Sequence, residues 1–305
     1  MELKNVLVTG ANGYLGARLV NALVKKGCVV WALVRSEQSD VSRLAGLERC
    51  KTVVCPLSEI ASLPQRIGRG TVDACYHLAW YSGSRLATAD LYAQEALIEQ
   101  SLRLMDAVYA KGCRRFIGTG SILETNTGLP LAAHKNMVYA VTKDAANKLL
   151  SLRARMLDMR YIWCRLCGVY GGDDRTGNLV SRTISDLRNG ISPEYSDGKQ
   201  PYSFIHVEDC ADLLVRIGES ELDVPGQLTV AGPECRSIRE YMTIIRDCIA
   251  PQVSLKFGVR EDDGIRYTKD MFDNSLLRDR LTVEYKHDFA CEMRRIAAGM
   301  GRSSP

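Results

Sequence analysis

Residues 5–27, NVLVTGANGYLGARLVNALVKKG, pass from an apolar run of strand character into an amphipathic helical stretch, with Gly10, Gly13 and Gly16 at the junction. Glycine weakens strand and helix interiors by roughly 0.5–1 kcal/mol against alanine. Three of them at this spacing therefore predict a place where the backbone itself must come close to something. A glycine-rich turn between a strand and a helix points backbone N–H groups outward, and the helix N-terminus adds partial positive charge. In this reading Gly10 allows the tight turn, Gly13 lets a phosphate approach and Gly16 lets the helix pack closely.

The segments that follow decide what kind of sheet the turn belongs to. VVWALVR, KTVVCPL, DACYHLAW, RRFIGTGS and RYIWCRLCGVYG read as five further strands. Residues 91–111 read as a helix with Leu91, Ala96, Leu97, Leu102, Met105 and Val108 near one face, and residues 138–156 as another. Strands alternating with helices in this way predict a parallel sheet covered on both faces. After Gly171 the rhythm breaks. GGDDRTGN reads as loop, LVSRTISDLRNG as a helix, 195–219 as strand, turn, strand and helix, and GQLTVAG as a strand able to return to the main sheet. The expected fold is α/β, a Rossmann-type doubly wound parallel sheet with a smaller discontinuous C-terminal substrate lobe. Residues 1–171 form the cofactor domain, with about 201–232 returning to it, and 172–200 and 233–305 form the lobe.

Composition removes several classes of function. A net charge of +4 with no long basic run argues against a nucleic-acid partner. No apolar stretch reaches the roughly 18–20 residues of a membrane helix, and the N-terminus carries no signal-peptide pattern. The expected location is the cytoplasm. The eleven cysteines are scattered and odd in number, which predicts reduced thiols used as small apolar residues. Their one close pair, Cys164 and Cys167, lacks a second pair or histidines at ligand spacing, so no metal is expected.

Tyr139 and Lys143 stand four residues apart on the second long helix and share a face. A tyrosine ionises near 10, and a neighbouring ammonium is expected to lower that value. Ser121, at the end of the fifth strand, could polarise a carbonyl oxygen.

The motifs TGANGYLG, YHLAW, GTGS, YAVTK, CRLCGVYG followed by NLV, and FIHVEDCADLL occur in that order. Together they resemble the extended short-chain dehydrogenase/reductase superfamily, the NAD-dependent epimerase/dehydratase family, over most of residues 3–235. Within it the nucleotide-sugar 4-ketoreductase type is the nearest likeness. The resemblance implies a catalytic set of Ser121, Tyr139 and Lys143. It implies a cofactor held by Gly10, Asn12, Gly13, Tyr14, Leu15, Gly16, Arg35, Ser36, Leu78, Ala79, Tyr139 and Lys143. Where NAD enzymes carry a carboxylate at the end of the second strand, this chain has Val34, followed by Arg35 and Ser36, which suit the 2′-phosphate of NADPH/NADP+. A nucleotide-sugar substrate would meet Ser121, Asn178 and Arg182, and a homodimer would pair through the two long helices.

Three departures narrow the activity that the resemblance implies. Ile122 and Leu123 follow Ser121 where the family's dehydratases have Asp and Glu. The helix before the fifth strand has Gln94, Glu95, Glu99 and Gln100 in place of the family's asparagine, and Tyr202 replaces the usual arginine, which leaves Arg182 as the diphosphate candidate. The function expected is NADPH-dependent reduction of a nucleotide-linked 4-keto-6-deoxyhexose, with Tyr139 as general acid. A nucleotide-sugar epimerase with retained NAD(P), a reductase of a non-sugar ketone and a cofactor-sensing regulator are the alternatives.

Overall fold

Val6, Leu7 and Val8 are all fully buried. Neighbouring side chains of a strand point to opposite faces, so both faces of the sheet that holds them are covered. The computed structural model describes residues 3–80, 88–130, 136–172, 174, 176–221 and 227–299. The loop reading of 171–178 thus falls partly on positions outside the described residues, at 173 and 175.

Strands β1 (Asn5–Thr9), β2 (Val29–Val34), β3 (Cys50–Val54), β4 (Ala74–His77), β5 (Arg115–Ser121) and β6 (Arg160–Leu166) correspond to the six predicted runs. The chain then forms β7 (Gly168–Tyr170), β8 (Glu194–Tyr195), β9 (Pro201–Tyr202), β10 (Phe204–His206) and β11 (Gln227–Val230). Among the described residues the main sheet has seven strands in the order β3-β2-β1-β4-β5-β6-β11, and all its pairs are parallel. This is a Rossmann-type doubly wound arrangement. Chain order reverses between β1 and β4, and their C-terminal ends open the crevice where such sheets take ligands.

Helix α1 (Tyr14–Lys25) covers one face; α2 (Leu63–Arg66), α3 (Leu91–Tyr109) and α4 (Met137–Met156) follow. Then come α5 (Leu179–Arg188), α6 (Val207–Glu219), α7 (Ile238–Ile249), α8 (Ser275–Leu281) and α9 (Phe289–Ala297). Leu19, Val20 and Leu23 of α1 share a core with Leu213, Leu214 and Ile217 of α6. On the opposite face Leu104, Met105 and Val108 of α3 pack with Ala146 and Leu150 of α4 around Trp163. A third cluster joins Val180 and Leu187 of α5, Met242 and Ile245 of α7 and Met293 and Ile296 of α9.

Two local expectations change. RYIWCRLCGVYG is not one strand: Cys167 N–H still reaches Val230 O at 3.1 Å, but Gly168 N–H turns to Ser203 O at 3.3 Å. From Gly168 the chain pairs with β10. A Cβ at Gly168 would lie 2.6 Å from Phe204 and 2.7 Å from Tyr202, so the bare backbone admits their rings. Leu91, expected on the inner face of its helix, is exposed, and Gln94 is buried instead. Among the described residues no helix is long and apolar enough to cross a membrane.

Candidate active site

The glycine turn lies at the crevice. Gly10 has φ +66°, in the left-handed region, and a Cβ there would stand 3.0 Å from Ala79 N. Gly13 caps α1 without a side-chain hydrogen bond, and its own N–H donates to Gly10 O at 3.0 Å. A Cβ at Gly16 would come within 2.0 Å of Gly10 O, a backbone atom that cannot step aside. The first turn of α1 contains no acidic residue, so no carboxylate competes with an anion for its N–H groups. Beside it runs a cleft of about 290 Å³ lined in part by Thr9, Gly10, Asn12, Arg35, Ala79 and Trp80. Asn12 Nδ2 donates to Asp40 O at 3.0 Å and ties the loop after β2 to the turn. Arg35 is exposed at the rim, and Ser36 N–H donates to Ser39 Oγ at 3.1 Å, the Ser39 side chain and not Ser36 lining the cleft.

A buried hydroxyl–imidazole chain fixes β1 against β4. Leu78 N–H and Ala79 N–H both donate to Thr9 Oγ1 at 3.1 Å. Thr9 Oγ1 lies 2.8 Å from His77 Nδ1, and His77 Nε2 lies 2.9 Å from Ser101 Oγ. Ser101 O–H donates to Leu97 O at 2.6 Å, so its oxygen accepts from His77 Nε2–H and Nδ1 accepts from Thr9. Burial, then the nearby Lys143, pulls His77 down to about 3; the ring is neutral and a single tautomer satisfies every partner.

Ser121 ends β5 and caps the 3₁₀ turn Ile122–Asn126. Its Oγ accepts from Leu123 N–H at 3.2 Å, which leaves its own proton to donate. Tyr139 is half-buried on α4, with the Ser121 hydroxyl near enough to act on its phenol. Burial and the Glu124 carboxylate push the phenol up, and the nearby Ser121 hydroxyl offsets only part of that rise. The expected lowering by Lys143 is absent for a physical reason. Lys143 Nζ donates to Thr119 O at 2.6 Å and sits 3.9 Å from the centre of the Trp80 ring. Burial pulls this lysine down to about 7, against the opposing pull of Glu124. Gln94 steadies the same wall: its Oε1 accepts from Trp80 Nε1 at 2.8 Å and from Thr142 Oγ1 at 3.4 Å.

Ser121 also lines a second cavity of about 430 Å³, with Asn178, Tyr195, Tyr202, Arg260 and Tyr267 among its walls. Tyr202 packs edge-on to Tyr267 and Phe272, at 5.5 and 5.4 Å between ring centres.

A model of the NAD dependent epimerase/dehydratase family matches residues 6–231. The chain belongs to that family. It is similar to the CDP-abequose synthase of Yersinia pseudotuberculosis, 24% identical over 295 residues, covering 92% of this chain and 99% of that one. It is also similar to a Streptomyces dTDP-4-dehydro-6-deoxy-D-allose reductase, 26% identical over 272 residues, covering 79% and 80%. Among solved structures, a UDP-N-acetylglucosamine 4-epimerase of Methanobrevibacter ruminantium has the same fold, with a TM-score of 0.79 at 23% identity and 98% of each chain covered.

Within this family framework the predicted residues fall into three groups. Gly10, Asn12, Gly13, Tyr14, Leu15 and Gly16 form the turn and the start of α1, and Leu78 and Ala79 face them across the crevice. Ser121, Tyr139 and Lys143 gather at the ends of β5 and α4. Asn178 reaches the second cavity, but its amide is occupied as the α5 cap: Oδ1 accepts from Ser181 N–H at 3.0 Å and Nδ2 donates to Val169 O at 3.0 Å and Asp174 Oδ2 at 2.6 Å. Arg182 pairs with Asp186 at 3.9 Å, and the cavity wall carries Arg260 instead. Arg260 and Glu124 are the charged residues that sequence reasoning missed. The eleven cysteines are free thiols, and burial pushes Cys164 and Cys167 up.

Proposed function

We propose that the protein reduces a nucleotide-linked 4-keto-6-deoxyhexose to the 4-hydroxy sugar, using NADPH. The observation that carries this reading is the position of Ser121, which lines the larger cavity and stands near enough to Tyr139 to act on its phenol. The relatives named for CDP-abequose synthesis and for dTDP-4-dehydro-6-deoxy-D-allose reduction support the substrate class.

The turn fits a dinucleotide, because a Cβ at Gly10 or Gly16 would obstruct it and no acidic side chain occupies the start of α1. Gly10, Asn12, Gly13, Tyr14, Leu15 and Gly16 would hold the diphosphate, Leu78 and Ala79 the opposite wall, and Tyr139 and Lys143 the nicotinamide end. Arg35 and Ser36 would receive the 2′-phosphate, since Val34 leaves the end of β2 without a carboxylate. When bound, NADPH supplies a hydride to the carbonyl carbon.

The chain's own part is to handle the oxygen. Ser121 donates its free proton as a hydrogen bond to the ketone oxygen. Tyr139, whose raised pKa keeps it protonated at neutral pH, delivers the proton that completes the alcohol. Ile122 and Leu123 offer no acid–base pair for a dehydration, so the keto group arrives already formed. Arg260 is the cation best sited for the diphosphate of the substrate, and Asn178 shapes the wall.

The substrate lobe comprises 172–200 and 233–305. The working unit is a cytoplasmic homodimer, supported by the exposed apolar residues Leu91 and Tyr92 on α3 and Leu149, Leu152 and Met156 on α4.

One observation favours a second reading, reduction of an apolar ketone: Tyr202, where the resemblance leads one to expect an arginine, lines the cavity together with Phe204 and Tyr267. Purified enzyme with NADPH, offered nucleotide-linked 4-keto-6-deoxyhexoses and apolar cyclic ketones in parallel, separates the two. Stoichiometric loss of NADPH absorbance with the keto sugars is expected. Loss with the apolar ketones alone favours the second reading, and epimer exchange without net cofactor consumption rejects both.

A further inference from the structure

Glu124 is a buried carboxyl group in an unusual place: burial pushes its pKa up, while bonds from Trp163 and Ser121 and the charges of Lys143 and Arg165 favour the carboxylate. It is 2% exposed, and its carboxylate lies directly behind Ser121. Oε1 accepts from Ser121 N–H at 2.7 Å, and Oε2 accepts from Trp163 Nε1–H at 2.9 Å. Arg165 Nε approaches Oε2 at 3.6 Å and is itself buried. The slot is cut to size: a Cβ at Gly120 would lie 2.3 Å from both Glu124 Oε1 and Trp163 Nε1. A reciprocal cap on a 3₁₀ turn needs only the bond to Ser121 N–H, and such caps are ordinarily solvated. Burying a carboxylate costs several kcal/mol unless it is well paired, so a cap alone does not account for the indole donor, the guanidinium and the glycine slot together.

We infer that Glu124 is a positioning residue for the reaction, holding the Ser121 backbone in place and setting the charge felt by Lys143 and Tyr139. This rests on the reductase reading for its kinetic consequence but not for its electrostatic one. Carboxylate and ammonium lie against the same indole, Glu124 Oε2 2.9 Å from Trp163 Nε1 and Lys143 Nζ 5.5 Å from the ring centre, so the carboxylate pulls Lys143 upward against burial, and it raises the Tyr139 phenol. Removing its charge makes both groups lose their protons at lower pH. The reduction needs the phenol protonated, so the alkaline limb of kcat/KM moves toward lower pH.

The test compares wild type with Glu124→Gln, which keeps an oxygen for Ser121 N–H and deletes the charge. Because Lys143 Nζ lies over Trp80, the lysine's titration in the cofactor-free protein is followed by tryptophan fluorescence. Lys143→Met removes that step and so assigns it. In Glu124→Gln the fluorescence midpoint and the alkaline limb both move down by about one pH unit, the scale of one neighbouring charge. Glu124→Asp keeps the charge, draws it back by one methylene and moves both in the same direction by less. A fluorescence midpoint unmoved in Glu124→Gln overturns the inference even if turnover falls, and so does a Glu124→Asp shift as large as that of Glu124→Gln. Should Glu124→Gln fail to fold, an unmoved midpoint in Glu124→Asp overturns it. Absence of turnover in wild type with every keto sugar rejects the reductase reading and leaves the fluorescence result to decide Glu124.

Discussion

The cleft beside Gly10 and the cavity beside Ser121 are built in different ways. The cleft is shaped largely by backbone: Gly10, Gly13 and Gly16 keep three positions of the turn bare, and Thr9 Oγ1 gathers the Leu78 and Ala79 N–H groups. It draws on strand ends of a single parallel sheet. The cavity is shaped by side chains from separated segments, with Asn178 before α5, Tyr195 on β8, Tyr202 on β9 and Arg260 beyond α7. A backbone site is specified by where side chains are missing and tolerates few replacements. A side-chain site is specified by what each segment contributes and can be altered one residue at a time.

The largest effect is expected at the proton donor beside Ser121 of the cavity wall. Tyr139→Phe removes the proton and little volume, and should lower kcat by about 10²–10⁴-fold while NADPH binding, followed by its fluorescence, stays near wild type. A mutant with wild-type turnover would break the link between cleft and cavity. Next come the two cations. Arg35→Ala should weaken NADPH by about 1.5–3 kcal/mol, the scale of one charge-assisted contact, and leave NADH nearly unchanged. Arg260→Ala should instead raise KM for the sugar nucleotide and spare both cofactors. Equal losses for NADPH and NADH, or a cofactor defect in Arg260→Ala, would erase the distinction.

Gly16→Ala sharpens the comparison on stability. Its Cβ would meet Gly10 O at 2.0 Å, and overpacking of this kind costs about 1–3 kcal/mol. Urea denaturation should show that loss. Gly13→Ala, whose Cβ would meet Gly10 O at 3.1 Å, should unfold closer to wild type. Equal stability of the two would mean that the turn yields more readily than its packing suggests.

The same contrast explains what could be read from sequence. The glycine turn was legible because consecutive residues build it, and the parallel sheet because strand and helix periods alternate along 5–166. Ser121, Tyr139 and Lys143 were legible from short spacings on β5 and α4. Glu124 was not, because a glutamate three residues past a strand resembles a solvated cap until Trp163 arrives from β6 to bury it. The bare positions Gly118 and Gly120 were the available signal, since a Cβ at either would collide with Trp163. The expected pull of Lys143 on the Tyr139 phenol was not legible as absent, because Thr119 O and the Trp80 ring, brought by other segments, compete for the ammonium. Arg260 escaped notice because a lone arginine in an irregular stretch carries no periodicity, and the part of Asn178 as the cap of α5 shows only in the fold.

The stretch from Val259 to Tyr267 is joined to the rest of the molecule mainly at its ends. Val259 and Arg260 N–H groups donate to Tyr195 O at 3.1 Å, and Arg266 N–H donates to Asn126 Oδ1 at 2.7 Å, with the Tyr267 ring set against Tyr202. Neither anchor consumes the side chains of Arg260, Glu261 or Asp263, which face the cavity. It follows that descent with modification can rewrite this wall residue by residue, or exchange it whole, without disturbing the sheet or the proton donor. A laboratory seeking new substrates for this scaffold would therefore randomise 260–265 first and leave Asn126 and Tyr195 alone.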